Sequence, residues 1–332
     1  MRRIALTTLR TAIGIGLVIY LASSGTIRWR AISGLAANWP ISLAALLLLL
    51  LDVVLLAWRL RLLLSPRGFH LSLALSFRLT LIRIFFSSCL PGSTGGDVIK
   101  IYYAMEGNQG RRTEVATLIL LDRAIGMFAL LILPLLMIPL SPQSLISRAA
   151  VKTLLFGALA VAIIMLTSAV LCFSRRLKDS RLLSSSFQKL PGGRYAEAMF
   201  NTIHAYRHNL GTLAASTALS LSTHLLIITV TLLAVWAIHP GTIAREMGVL
   251  IPLGHLANSL PLTPGGLGVG EAAFGSLFAM AGLSGGAEAL LGWRVLNFVI
   301  SILGLLYYLQ GRRRFVHVAE MPQAIDSPVQ DA

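Results

Sequence analysis

Leu90-Pro91-Gly92-Ser93-Thr94-Gly95-Gly96-Asp97 interrupts one apolar run, and Leu260-Pro261-Leu262-Thr263-Pro264-Gly265-Gly266-Leu267 interrupts another in the opposite half of the chain. Both read Leu-Pro-x-(Ser/Thr)-x-Gly-Gly, with an offset of 261 − 91 = 170, about half of the 332 residues. Proline removes a backbone donor and clashes with the preceding turn, so each stretch ends a helix. Without water to satisfy them, backbone groups freed at membrane depth are tolerated only where they line a cavity or pack on protein. Two such breaks in matching places point to the substrate site of a transporter.

The surrounding composition puts the breaks in a membrane. With 56% hydrophobic residues, 12% charged residues and a mean hydropathy of +0.78, the chain cannot hide its apolar surface in a soluble core. A net charge of +15 would suit nucleic acid. The basic residues instead fall between apolar runs, as the positive-inside rule requires, and no nucleic-acid partner is expected. Cys89 and Cys172 lie in or beside apolar segments without paired spacing and read as packing residues. The start, Met1-Arg2-Arg3 to Arg10 and an apolar run to Ser23, resembles a signal peptide without a convincing cleavage site, and reads as a retained first span.

A hydrocarbon core of about 30 Å takes about 20 apolar residues in a helix. That ruler places spans near 5–24, 40–60, 115–140, 150–173, 212–238 and 287–310. The stretch 71–90 carries Arg78 and Arg83 and runs into Pro91, while 248–262 ends in Pro261 and restarts beyond Gly268. Both are expected to be re-entrant hairpins or broken helices. Arg2, Arg3 and Arg10 place the N-terminus inside, as Arg59, Arg61, Arg67, Lys100, Arg111 and Arg112 do for the stretch after the second span. The basic 174–211 connector and Arg312, Arg313 and Arg314 are then cytoplasmic, and the sparsely charged 141–149 is outside; Arg28 and Arg30 count against the scheme. Each half reads span, span, broken hairpin, span, with hairpins of opposite sidedness. That is an inverted-topology repeat, with halves at about 5–140 and 150–310 in one domain over 1–310. Arg123 and Arg294, offset by 171, follow the two hairpins in step. Alternatively, Pro-Gly turns simply recur and the arginines lie near interfaces. Residues 311–332 read as a basic, then disordered, cytoplasmic tail.

Charged residues within spans are costly and normally face a cavity or a partner. Adjacent helical residues point about 100° apart, so Asp122 and Arg123 are not a self-contained pair. One contacts a neighbouring segment while the other faces a cavity, or both snorkel at the interface. Asp97 caps the helix resuming after Gly95-Gly96 or contacts substrate, and Glu271 has the same two roles after the second break. Amides at Gly95, Gly96, Gly265 and Gly266 suit an anion at a helix N-terminus, a phosphate above all. Asp52, between Leu46–Leu51 and Val53–Leu56, relays a proton, pairs with an arginine or sits at the membrane edge. His224 and His255 are isolated, which favours hydrogen-bonded packing over metal ligation. Trp58, Tyr102, Tyr103, Tyr307 and Tyr308 read as interface-belt aromatics. No catalytic signature, metal site or cofactor is expected.

At Phe85-Phe86-Ser87-Ser88-Cys89-Leu90-Pro91-Gly92-Ser93-Thr94-Gly95-Gly96-Asp97, Leu121-Asp122-Arg123-Ala124-Ile125-Gly126 and Pro264-Gly265-Gly266-Leu267-Gly268-Val269-Gly270-Glu271-Ala272, the chain resembles the transmembrane-region family of lysylphosphatidylglycerol synthases, over roughly 10–310. The resemblance implies an all-α, multi-pass, flippase-like protein of the bacterial inner membrane. It also implies a lipid substrate: aminoacyl-phospholipid, hopanoid or polyprenyl-linked. In the synthases a soluble aminoacyl-transferase domain follows; none is seen in these residues, so the expectation is no enzyme. Many relatives have an arginine beside the last glutamate, where this chain has Gly270.

These observations converge on binding or translocation of a polar or anionic-headed lipid, its phosphate held by the hairpin amides with Arg123 and Arg294. An accessory subunit of a lipid-modifying or glycan-assembly system is the alternative, and an ion or small-solute transporter the third. Partners would be a second copy or a lipid-modifying enzyme.

Overall fold

The computed structural model describes residues 29–89, 95–106, 108–180, 187, 191–241, 244–260 and 268–310. The expected first span, the tail, and the Pro/Gly centres of both breaks, including Gly265 and Gly266, lie outside the described residues.

Every regular element described is helical: α1 (Trp29–Ala37), α2 (Trp39–Leu64), α3 (Leu73–Cys89), α4 (Gly95–Glu106), α5 (Arg112–Leu136), α6 (Ala149–Phe173), α7 (Gly193–Ala205), α8 (Leu210–Ile238), α9 (Met247–Asn258), α10 (Val269–Met280) and α11 (Gly286–Leu309), with short single turns between some of them. Five of these, α2, α5, α6, α8 and α11, are long and apolar enough to cross a membrane. They match five of the spans read from the sequence. Their ends follow local chemistry. Pro40 sits in the first turn of α2, where its missing donor costs nothing, and past the helix Ser65-Pro66-Arg67 leads to Gly68 in the left-handed region.

The two unspanning stretches each form a broken pair. Helix α3 has 17 residues and α4, α9 and α10 have 12 each. At 1.5 Å per residue those lengths, about 26 and 18 Å, fall short of a hydrocarbon core of about 30 Å. In each pair the second helix packs back on the first and on the long helix that follows: α4 on α3 and α5, α10 on α9 and α11. The pairs also cross over, because α3 packs on α11 and α9 on α5. At the α3–α11 crossing a side chain on Gly304 would reach within 2.1 Å of the Leu81 carbonyl oxygen, so the backbones touch there.

Helices α2 and α8 form the central pair. Asn38, just before α2, donates to the Ala237 carbonyl near the end of α8 over 2.8 Å. Tyr206, just before α8, donates its hydroxyl to the Leu63 carbonyl near the end of α2. These reciprocal bonds make the two helices antiparallel. Helix α6 is peripheral: 17% of its apolar window is buried, against 50% for α11.

The 174–211 connector contains more order than its charge suggested. Within it α7 packs on α5 and α6, and Tyr206 is completely buried, its phenol pushed up to about 12 by loss of solvent. Among the aromatics read as a belt, Trp58 and Tyr102 are exposed, but Tyr308 is 9% exposed and stacks edge-on against Phe86. That ring serves the core because α11 is drawn against α3.

A charged cavity beside the first hairpin

Helix α5 carries Asp122 and Arg123 into the bundle on two of its faces. Asp122 accepts from Arg59 Nε of α2 at 2.7 Å and from Lys100 Nζ of α4 at 3.0 Å. Arg59 also donates to Ser220 of α8 over 2.7 Å, whose own hydroxyl donates to the Ser216 carbonyl. Arg123 instead pairs with Asp97, in the first turn of α4. Both members of the adjacent pair therefore reach neighbouring segments and both line the same space. The interface reading fails for Asp122, which is 5% exposed inside the bundle.

That space is a cavity of about 290 Å³ between α2, α3, α4, α5, α8 and α11. Arg59, Arg83, Lys100 and Arg123 line it together with Asp52, Asp97 and Asp122, so the charges leave one net positive. Thr80, Ser87 and Ser88 add hydroxyls from α3. Beyond Leu130, His224, Ile227 and Trp293, which belong to both walls, a second chamber of about 140 Å³ continues toward Leu133, Ile228, Pro252 and His255. One chamber is ionic and the other nearly all apolar. His224 donates to the Gly126 carbonyl at 2.9 Å, bracing α8 against α5.

The second hairpin repeats one ion pair elsewhere. Arg294 of α11 meets Glu271, in the first turn of α10, at 3.2 Å and donates to Asn258 of α9 at 2.7 Å. Glu271 also accepts from the Gly268 amide at 2.8 Å, a capping bond across the start of α10. Asp97 and Glu271 thus hold equivalent positions toward Arg123 and Arg294, but Arg294 and Glu271 do not line the 290 Å³ cavity. The residue before each acid is a glycine forced by close approach. A side chain on Gly96 would stand 2.1 Å from the Arg83 carbonyl oxygen, and one on Gly270 would stand 2.4 Å from Asn258 Oδ1. At Gly270, a larger residue would fill the place where Arg294 and Asn258 meet.

Sequence reading found Asp52, Asp97, Asp122 and Arg123 but gave Arg59 and Lys100 to the cytoplasmic loop charge. Both are buried, at 6% and 2% exposure, because α2 runs on past Leu60 and α4 folds inward. The one available signal was amphipathic placement: Arg59 and Lys100 each sit among apolar neighbours within a helix rather than in a turn.

A cavity with ion pairs, enclosed by spans and bordered by the first broken hairpin, defines a multi-pass membrane protein with an internal polar site. Residues 7–304 match the family described as the lysylphosphatidylglycerol synthase TM region, and the chain belongs to that family. Membership makes it a membrane protein related to lipid handling. No curated protein and no solved structure matches the chain.

Proposed function

We propose that the chain binds the polar head of a membrane lipid in the charged cavity and carries it across the bilayer while the tails stay in lipid. The cavity carries this reading: four cations and three acids are gathered inside a bundle of apolar spans, next to an apolar chamber. Sites of that kind inside membranes bind and pass charged groups. The reading is transport, with the two acid–arginine pairs opening onto an anion and closing again. A phosphate displaces Asp97 from Arg123 at the first hairpin and Glu271 from Arg294 at the second, with the amides of Gly95 and Gly96, and of Gly265 and Gly266, as further donors.

An inverted repeat gives those two stations opposite access. Support comes from the matched neighbours of α2–α5 and α8–α11, from the two acid–arginine pairs, and from the reciprocal Asn38 and Tyr206 bonds. The positive-inside distribution of charge supports cytoplasmic termini, and the family supports a bacterial inner membrane.

The test is reconstitution of the purified chain in phosphatidylcholine vesicles containing fluorescent phosphatidylglycerol, with leaflet exchange followed by a membrane-impermeant quencher. Faster exchange than in protein-free vesicles is expected. Arg123→Lys and Arg294→Lys should each slow it about three- to tenfold, since lysine lacks the two-pronged grip on phosphate. Exchange no faster than the protein-free rate would sink the proposal.

A further inference from the structure

Of the three acids lining the cavity, Asp52 is the one that makes no ion pair among the described residues. It stands midway along α2, is 6% exposed and lines the 290 Å³ cavity, and its buried Oδ1 has no hydrogen-bond partner among the described residues. The cations acting on it are Arg83, on α3, and then Arg59, on α2. Arg59 is committed to Asp122 and Ser220. Arg83 makes no ion pair among the described residues and lines the same cavity. The buried indole N–H of Trp293, also without a partner among the described residues, belongs to the wall shared by the two chambers. Buried polar atoms are nearly always satisfied, so an acceptor left open in the lining of a cavity points to what the cavity is made to hold.

We infer that the head group recognised here is a phosphodiester bearing an uncharged hydroxylated group, its phosphate received by Arg83 together with Arg123 and its hydroxyl donating to Asp52 Oδ1. This rests on the transport reading above and narrows it. Charge selects the class. The cavity is net positive by one, which a phosphodiester monoanion cancels. A head that adds an ammonium to the phosphate would be neutral and leave that charge uncompensated in a low dielectric. A phosphate without a hydroxylated substituent would leave Asp52 Oδ1 without a donor. Size agrees, since about 290 Å³ lies at the small end of ligand pockets, ~300–1,000 Å³, and suits a glycerol or one sugar rather than an oligosaccharide. The apolar second chamber takes only the methylenes next to the head group, and the rest of each tail stays in lipid. Phosphatidylglycerol and a glycosyl phosphoprenol share this chemistry.

The experiment measures lipid retention by native mass spectrometry of the full chain. It is purified in detergent with equal amounts of phosphatidylglycerol, phosphatidic acid, phosphatidylethanolamine and lysylphosphatidylglycerol, and separately with a glucosyl phosphoprenol and the bare prenyl phosphate. The wild type should retain phosphatidylglycerol, or the glucosyl lipid, about tenfold or more over its partner lacking the hydroxylated group, as one hydrogen bond to a charged acceptor warrants. Whichever of the two is held more tightly identifies the source. Asp52→Asn should collapse that ratio while eluting as the wild type does in size exclusion, and Arg83→Gln should weaken every phosphate lipid. Equal retention of phosphatidylethanolamine or lysylphosphatidylglycerol, or an unchanged ratio in Asp52→Asn, would overturn the inference. Leaflet exchange without head-group preference would do so while leaving the transport reading intact; no retention and no exchange removes both.

Discussion

The wedge between α2, α3, α4 and α5 is held by a buried cluster of three charges, whereas the corresponding wedge between α8, α9, α10 and α11 sets a cluster of rings beside its one ion pair, Arg294 with Glu271. In the first, Arg59, Lys100 and Asp122 join three helices. In the second, His255 lies edge-on to Phe274 at 5.2 Å and to Trp293 at 4.9 Å, with its Nε2 on Thr231 Oγ1 at 3.1 Å. Four helices meet in a similar arrangement both times, so backbone placement does not dictate which chemistry fills the gap. The proposed head-group site fits the difference. Ions in a membrane interior are kept where something must bind, whereas interlocking rings stabilise without asking for a ligand. The larger cavity accordingly lies on the ionic side, and the aromatic side closes it with Thr223, His224, Ile227, Ser259, Trp293 and Asn297.

The contrast is broken most severely at Asp122. Asp122→Ala leaves Arg59 and Lys100 buried without their anion and should destabilise the protein by about 3–5 kcal/mol. Thermal unfolding in detergent measures this, and an unchanged midpoint would mean that the triad is not what joins the first wedge. On the other side, Phe274 is completely buried, and Phe274→Ala should cost about 3 kcal/mol by opening a cavity. Its effect on leaflet exchange should be no more than its loss of stability explains; a selective loss of exchange would give the aromatic wedge a direct part in transport. The smallest effect is expected at Thr231→Val, which removes the hydroxyl facing His255 and should cost about 1 kcal/mol in the same unfolding measurement. A null result there would mean that the rings alone hold the imidazole.

Much of this was legible along the chain. Long apolar runs give spans wherever they exceed the bilayer, and Pro91 and Pro261 mark the two breaks because proline and glycine act on their own backbone, without reference to the fold. Asp52, Asp122 and Arg123 stood out because a charge in an apolar run is conspicuous. Arg59 and Lys100 did not, since each lies near a segment end where a loop charge and an inward-facing one look alike. Tyr206 was hidden for a related reason: a basic connector offers no sign that one ring in it will be buried under α2.

Hydropathy and helix-breaking chemistry, both properties of the residues themselves, therefore determined that this is an all-helical membrane protein with two interrupted segments and a few charges it must shelter. Only the tertiary structure decided the partners of those charges. It set Asp122 between Arg59 and Lys100, sent Arg123 to Asp97 and Arg294 to Glu271, and left Asp52 facing an open cavity. Ion pairing depends on positions 22 to 63 residues apart in the chain brought within about 3 Å, and nothing local to either residue records which partner it will meet.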